Sequence, residues 1–145
     1  MNEFIQEYII PLHPKLTDLP VALFVTALGL EVLSRVLKRE DWHKFSFLLY
    51  ILAIMSLPVV AAAGFWEEYR RHLHHHVLDE HKCAAFLTTG IAVFSLPFLW
   101  FIKKKAPPYF RSTFLLFLIV LTVCIVITAH YGGEMVFKYA VGVEN

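Results

Sequence analysis

Charge is scarce in this sequence. Asp, Glu, Lys and Arg make up 17% of its 145 residues, against 58% hydrophobic residues. With a mean hydropathy of +0.60, the chain falls outside the ordinary soluble class, where about a quarter of residues are charged. The charges nearly cancel, to +1, which removes the electrostatic argument for a nucleic-acid partner. Cysteine is scarce as well. Cys83 and Cys124 fall at different expected depths, so they read as small apolar packers and not as a disulfide or a ligand pair. No Cys-x-x-Cys-His haem-attachment motif, phosphate-binding glycine loop or nucleophile triad occurs. The paired broken helices of a transporter are missing too. The opening Met1 to Glu7 holds acids and no basic run, so it does not read as a cleaved signal.

What the chain does have is apolar runs of the length that crosses about 30 Å of hydrocarbon as helix. They predict spans at about 19–37, 45–66, 83–102 and 113–131. The expected fold is an all-α membrane protein, an antiparallel bundle of four transmembrane helices in a single domain over 1–145. Residues 2–10 add a short amphipathic helix at the interface, with Phe4, Ile5, Tyr8 and Ile9 on one face. The residue before a proline is pushed away from helix, so His13 before Pro14 is expected on extended backbone. Thr17 or Asp18 then caps the first span, with Pro20 in its first turn. Pro58 should kink span two, which can continue some turns into water past Trp66. Ser112 is the expected cap of span four, and Gly132-Gly133 its stop. No strong internal repeat is visible.

Lysine and arginine set the orientation. Arg35, Lys38, Arg39 and Lys44 surround the first loop, and Lys103, Lys104, Lys105 and Arg111 the third. Both loops are short and basic, which predicts that they are cytoplasmic. The second loop and both termini then lie outside a bacterial inner membrane. His13, His72, His74, His75, His76, His81 and His130 all fall on the outer side, and only His43 on the inner side. His13, His81 and His130 stand at the mouths of spans one, three and four. Imidazole is the usual protein ligand of haem iron, zinc, copper and non-haem iron, and it titrates near neutrality.

Two helical faces bear on a site. On span three, His81 shares a face with Ala84, Ala85, Thr88, Ala92 and Ser95, a stripe of small residues that lets helices approach closely or leaves room for a planar cofactor. On span four, His130 shares a face with Leu116, Ile119, Val123, Val126 and Ile127, an aliphatic wall. Ala61, Ala62, Ala63 and Gly64 add small residues near the same end, followed by Glu67 and Glu68. Each feature also has a plain structural reading. The small stripe serves tight packing, the His72 to His76 run is a solvated interfacial face, and Glu31 and Arg35 neutralise each other across one helical turn. The glycine pair stops a helix or allows close backbone approach.

These residues also carry a resemblance. The chain is similar over nearly its whole length to a bacterial family of small four-helix membrane proteins to which no function is assigned. The opening motif resembles His13-Pro14 followed by Pro20. Gly64 with Glu67 or Glu68 stands near the end of span two, His81 opens span three, and the closing motif is His130-x-Gly132-Gly133-x-x-Val136-Phe137 with Val141-Gly142-Val143 after it. This sequence departs from the family pattern at Asp18, where many members carry a second histidine. It also has Phe137 near a family tyrosine and Ala140 near a family glycine. Some relatives are joined to c-type haem domains, which implies a respiratory or other redox setting, with a c-type cytochrome or respiratory complex as partner.

The leading expectation is a membrane-bound b-type haem protein that transfers electrons on the outer side, as an electron carrier or subunit and not a stand-alone enzyme. His81 and His130 are the expected axial ligands, with His13 as a substitute ligand or a hydrogen-bond donor behind them. Glu67 or Glu68 and Arg71 meet the propionates. One alternative is a single zinc, copper or iron ion held by His13, His81 and His130 with Asp18 or Glu134. Another is an accessory subunit of a larger membrane complex with no site of its own. The expected partners are the lipid bilayer and, apart from these alternatives, further copies of the chain in a homo-oligomer.

Overall fold

A computed structural model describes residues 12–71 and 75–139. The interfacial helix expected over 2–10 lies outside these residues, as do His72, His74 and the tail from 140 onward. The described residues form four helices, here α1 (Leu12–Val36), α2 (Glu40–Arg71), α3 (His76–Lys105) and α4 (Pro107–Phe137). All four are long and apolar enough to cross a membrane. The bundle is apolar on the outside as well as within: Val25, Phe45, Met55, Phe94, Leu116 and Val123 are exposed. That pattern belongs to lipid, where helices associate by close packing and not by hiding apolar surface from water.

Each helix outruns its expected span, and the ends correct several local readings. His13 is not on extended backbone but in the first turn of α1. A proline within the first turn, here Pro14, breaks no hydrogen bond because those N–H groups have no partner within the helix. Pro20 therefore lies well inside α1, fully buried, and neither Thr17 nor Asp18 begins the helix. Helix α2 does continue past Trp66, to Arg71. Helix α4 starts at Pro107, with proline at its first positions, and not at Ser112. It also runs through Gly132-Gly133 to Phe137, where the Lys138 N–H closes on the Glu134 carbonyl. Helical glycine costs only about 1 kcal/mol relative to alanine, which packing against α3 offsets. Between α1 and α2, Lys38 takes a left-handed conformation (φ 52) and the Arg39 N–H returns to the Ser34 carbonyl at 2.9 Å. This is a glycine-type helix stop carried by a lysine.

Helix α1 packs on α2, α3 on α4, and α1 on α4, while α2 and α3 touch less, and the diagonal pairs least. The bundle is thus two helical hairpins side by side, with α1 and α3 running in the same direction. The hairpins are repeats in register. A shift of 68 positions carries 12–69 onto 80–137 without a gap, and buried positions fall on buried positions: Pro20 on Thr88, Phe24 on Ala92, Ala27 on Ser95, Glu31 on Leu99, Ser46 on Phe114, Tyr50 on Leu118, Ala53 on Leu121 and Leu57 on Ile125. Exchange of the hairpins is a pseudo-twofold rotation about the bundle axis, the arrangement of parallel repeats in a membrane. An internal repeat is therefore present, contrary to the reading of the sequence.

Polar groups tie the hairpins together. Tyr50 of α2 donates its hydroxyl hydrogen to Ser95 Oγ of α3, whereas the Thr88 and Thr128 hydroxyls, 3.2 Å apart, join α3 to α4 within the second hairpin. At the end carrying the basic loops, Glu31 is fully buried. It accepts from Arg35 Nε at 3.1 Å and from His43 Nδ1 at 2.6 Å. Arg111 Nη2 lies 3.8 Å from the same carboxylate and donates to Ser34 Oγ at 2.8 Å. The expected pairing of Glu31 with Arg35 is present and is extended by His43 and by an arginine from the second hairpin.

Candidate functional site

At the end opposite the basic loops, two histidines meet near the bundle axis. The His13 and His81 ring centroids are 6.0 Å apart and the ring planes make an angle of 80°. The two come from repeat-equivalent positions, and their surroundings are equivalent too. His13 Nδ1 lies 2.9 Å from the Val60 carbonyl of α2, and His81 Nδ1 lies 3.0 Å from the Thr128 carbonyl of α4. A carbonyl only accepts, so each Nδ1 carries the hydrogen. That leaves each Nε2 with its lone pair free, the tautomer that a metal-binding imidazole requires.

Glycine makes room for the His13 ring, and a second glycine faces the His81 ring at a looser distance. A Cβ on Gly64 would stand 2.9 Å from His13 Cε1, and one on Gly132 would stand 3.4 Å from His81 Cε1. Each histidine thus sits in a notch on the neighbouring helix, with a carbonyl at one edge and a missing side chain one turn further on. Of the two readings of Gly132-Gly133, close backbone approach holds for Gly132 and the helix stop does not.

A cavity of about 630 Å³ opens beside the pair, lined by all four helices. Asp18, Glu67, Glu68 and Lys82 supply its polar groups. Ala61, Ala85 and Ala129 keep it wide, and Phe65, Phe86 and Phe137 add aromatic wall. The size falls within the roughly 300–1,000 Å³ typical of small-molecule sites. Glu68 bonds Lys82 at 2.8 Å and the Phe65 and Phe86 rings lie 5.7 Å apart, so these pairs close the α2–α3 seam at this end. The small stripe expected below His81 is real: Thr88, Ala92 and Ser95 are buried and Ala85 faces the cavity.

The other expected ligand is elsewhere. His130 is exposed, is absent from the cavity wall and has its ring 6.1 Å from that of Tyr131. The aliphatic wall that it shares is the lipid face of α4, with Val123 at 53%, Val126 at 49% and Ile127 at 46% exposure. The residues near it on the helix at 129, 132 and 133 line the cavity instead. The pair that the structure brings together is therefore His13 with His81, and not His81 with His130. Glu134 bonds Lys138 at 3.2 Å and does not line the cavity, whereas Asp18 does. Glu67 is buried in the wall, and Arg71 ends α2 with its side chain outside the description. Among the described residues, no three His, Cys, Asp or Glu side chains come together to hold a metal ion.

The Val60 and Thr128 carbonyls and the notch at Gly64 went unread in the sequence. Equal spacing was the available signal: each histidine is followed 47 residues later by its carbonyl partner and, four positions beyond that, by a glycine. No curated protein and no solved structure matches the chain. Residues 9–145 match a family profile, and by that match the chain belongs to the DUF2231 family of predicted membrane proteins.

Proposed function

We propose that the His13–His81 pair holds the iron of a b-type haem and that the protein carries electrons at the outer face of a bacterial inner membrane. The observation that carries this reading is the equivalence of the two imidazoles, one per repeat, each with Nδ1–H tied to a helix carbonyl and Nε2 left as a donor. Two imidazoles sharing one metal, with nitrogens about 2.0–2.1 Å from it, have centroids roughly 5–6.5 Å apart as the angle at the metal widens from tetrahedral to linear. The observed 6.0 Å corresponds to an angle of roughly 140° at a shared metal, between the tetrahedral and the linear arrangement.

The donor set favours haem over a lone ion. A closed zinc site takes three or four protein ligands, and the described residues bring only two donors together here. A porphyrin supplies the other four nitrogens itself and needs an apolar slot, which the cavity offers. When bound, haem supplies one-electron chemistry near neutrality. The chain's part is to bind and to insulate. The carbonyls of Val60 and Thr128 orient the ligands, the phenylalanines exclude water, and Glu67, Glu68 and Lys82 lie where polar edges of a cofactor would reach the rim. The basic loops at the opposite end support an outward-facing site by the positive-inside rule. An electron partner outside the membrane, such as a c-type cytochrome or a respiratory complex, fits that placement.

The test is haem content across a panel of histidine variants, purified in detergent from a haem-replete host. His13→Ala and His81→Ala are expected to lose bound haem, and His130→Ala to retain it. Retention in His13→Ala with loss in His130→Ala would reject the pair.

A further inference from the structure

The two imidazoles are held in plane as well as in place. His13 is fixed at one edge by the Val60 carbonyl, at 2.9 Å, and its ring lies where a Cβ on Gly64 would come within 3.0 Å of Nδ1 and 2.9 Å of Cε1. His81 is fixed by the Thr128 carbonyl at 3.0 Å, and a Cβ on Gly132 would come within 3.4 Å of Cε1 and 3.5 Å of Nδ1. In each case the hydrogen bond sets one axis of the ring; at His13 the bare backbone of Gly64 also sets the tilt, whereas a Cβ on Gly132 would make only ordinary van der Waals contact with His81. The notches are repeat-equivalent, and the two ring planes differ by 80°. Not every helical glycine makes such a notch: Gly90 has nothing within 4 Å of an added Cβ.

We infer that Gly64 is a positioning residue that holds the His13 imidazole nearly perpendicular to that of His81, one ring from each hairpin. This rests on the haem reading of the pair. The consequence is electronic. In low-spin ferric haem, parallel imidazole planes both push on the same iron d orbital and split it from its partner, which gives a rhombic paramagnetic spectrum. Perpendicular planes act on the two orbitals alike and leave them nearly degenerate, which gives a single, strongly anisotropic signal at large g. A residue with only a packing role would not set this signature.

The experiment is low-temperature EPR of the oxidised, purified full chain as wild type, Gly64→Ala, Gly132→Ala and Gly90→Ala. Wild type and Gly90→Ala are expected to show the large-g signal. Gly64→Ala is expected to lose it in favour of a rhombic spectrum as His13 is tilted. Gly132→Ala, whose Cβ makes only an ordinary contact with His81, is expected to keep it. A haem-bearing wild type with a rhombic spectrum overturns the perpendicular pair while leaving the haem reading intact. A Gly64→Ala variant that binds haem with the wild-type signal overturns the positioning role. A wild type without haem overturns both. Should Gly64→Ala fail to fold, the wild-type spectrum still decides, since a rhombic signal there overturns the proposal.

Discussion

Glu31 is the position where the fold is most exposed to a single change. Its side chain is fully buried, and that of His43, bonded to it at 2.6 Å, is only 10% exposed. Arg35 and Arg111 are different, at 33% and 36% exposure. In Glu31→Ala the two arginines turn to water, so each of their contacts is lost at no more than about 0–1 kcal/mol. His43 has no such escape, and its hydrogen bond to a charged group is worth about 1.5–3 kcal/mol. The expected destabilisation is about 2–4 kcal/mol, below the roughly 3–5 kcal/mol of a fully dry pair broken on one side. Replacing both partners is expected to cost less than replacing one. Glu31→Leu with His43→Leu should recover most of the loss, since the second hairpin already carries Leu99 at the position equivalent to Glu31. The assay is unfolding by SDS in mixed micelles, followed by circular dichroism. Glu31→Ala within about 0.5 kcal/mol of wild type, or a double variant no better than the single, would refute the reasoning.

Two further changes are read by the same titration. Lys38 holds a left-handed conformation that costs a side-chain-bearing residue roughly 1–2 kcal/mol, so Lys38→Gly is expected to stabilise by about 1 kcal/mol; no gain would mean that the turn does not persist in solution. Tyr50→Phe removes the hydroxyl that bonds Ser95, but Ser95 still donates to the Ala92 carbonyl at 2.6 Å. The expected loss is therefore about 1 kcal/mol, and a loss several times larger would show that Tyr50 does more than bridge the hairpins.

The spans were legible because length and hydropathy are summed over about 20 residues and tolerate local error. Local backbone rules were weaker guides. The rule for residues before proline placed His13 outside the helix, yet the first turn is where a helix accepts proline without loss. The repeat was hidden for a reason that lies in packing. Equivalent positions of the two hairpins face the same core, and at several of them a large residue in one hairpin meets a small one in the other: Phe24 with Ala92, Phe114 with Ser46, Leu121 with Ala53. Identity is erased where side chains of unequal size interlock. Only the register of burial, and the spacing from each histidine to its glycine, kept the trace. His130 misled because an aliphatic face reads the same whether it lines a cofactor slot or meets lipid, whereas a face of small residues favours close helix packing, and Thr88, Ala92 and Ser95 are buried.

The most direct measurement is the absorption spectrum of the wild-type protein, purified in detergent and recorded oxidised and then reduced with dithionite, with metal analysis on the same sample. The account predicts sharp reduced α and Soret bands and iron near one equivalent per chain. A featureless spectrum would contradict it, whatever metal the analysis then found.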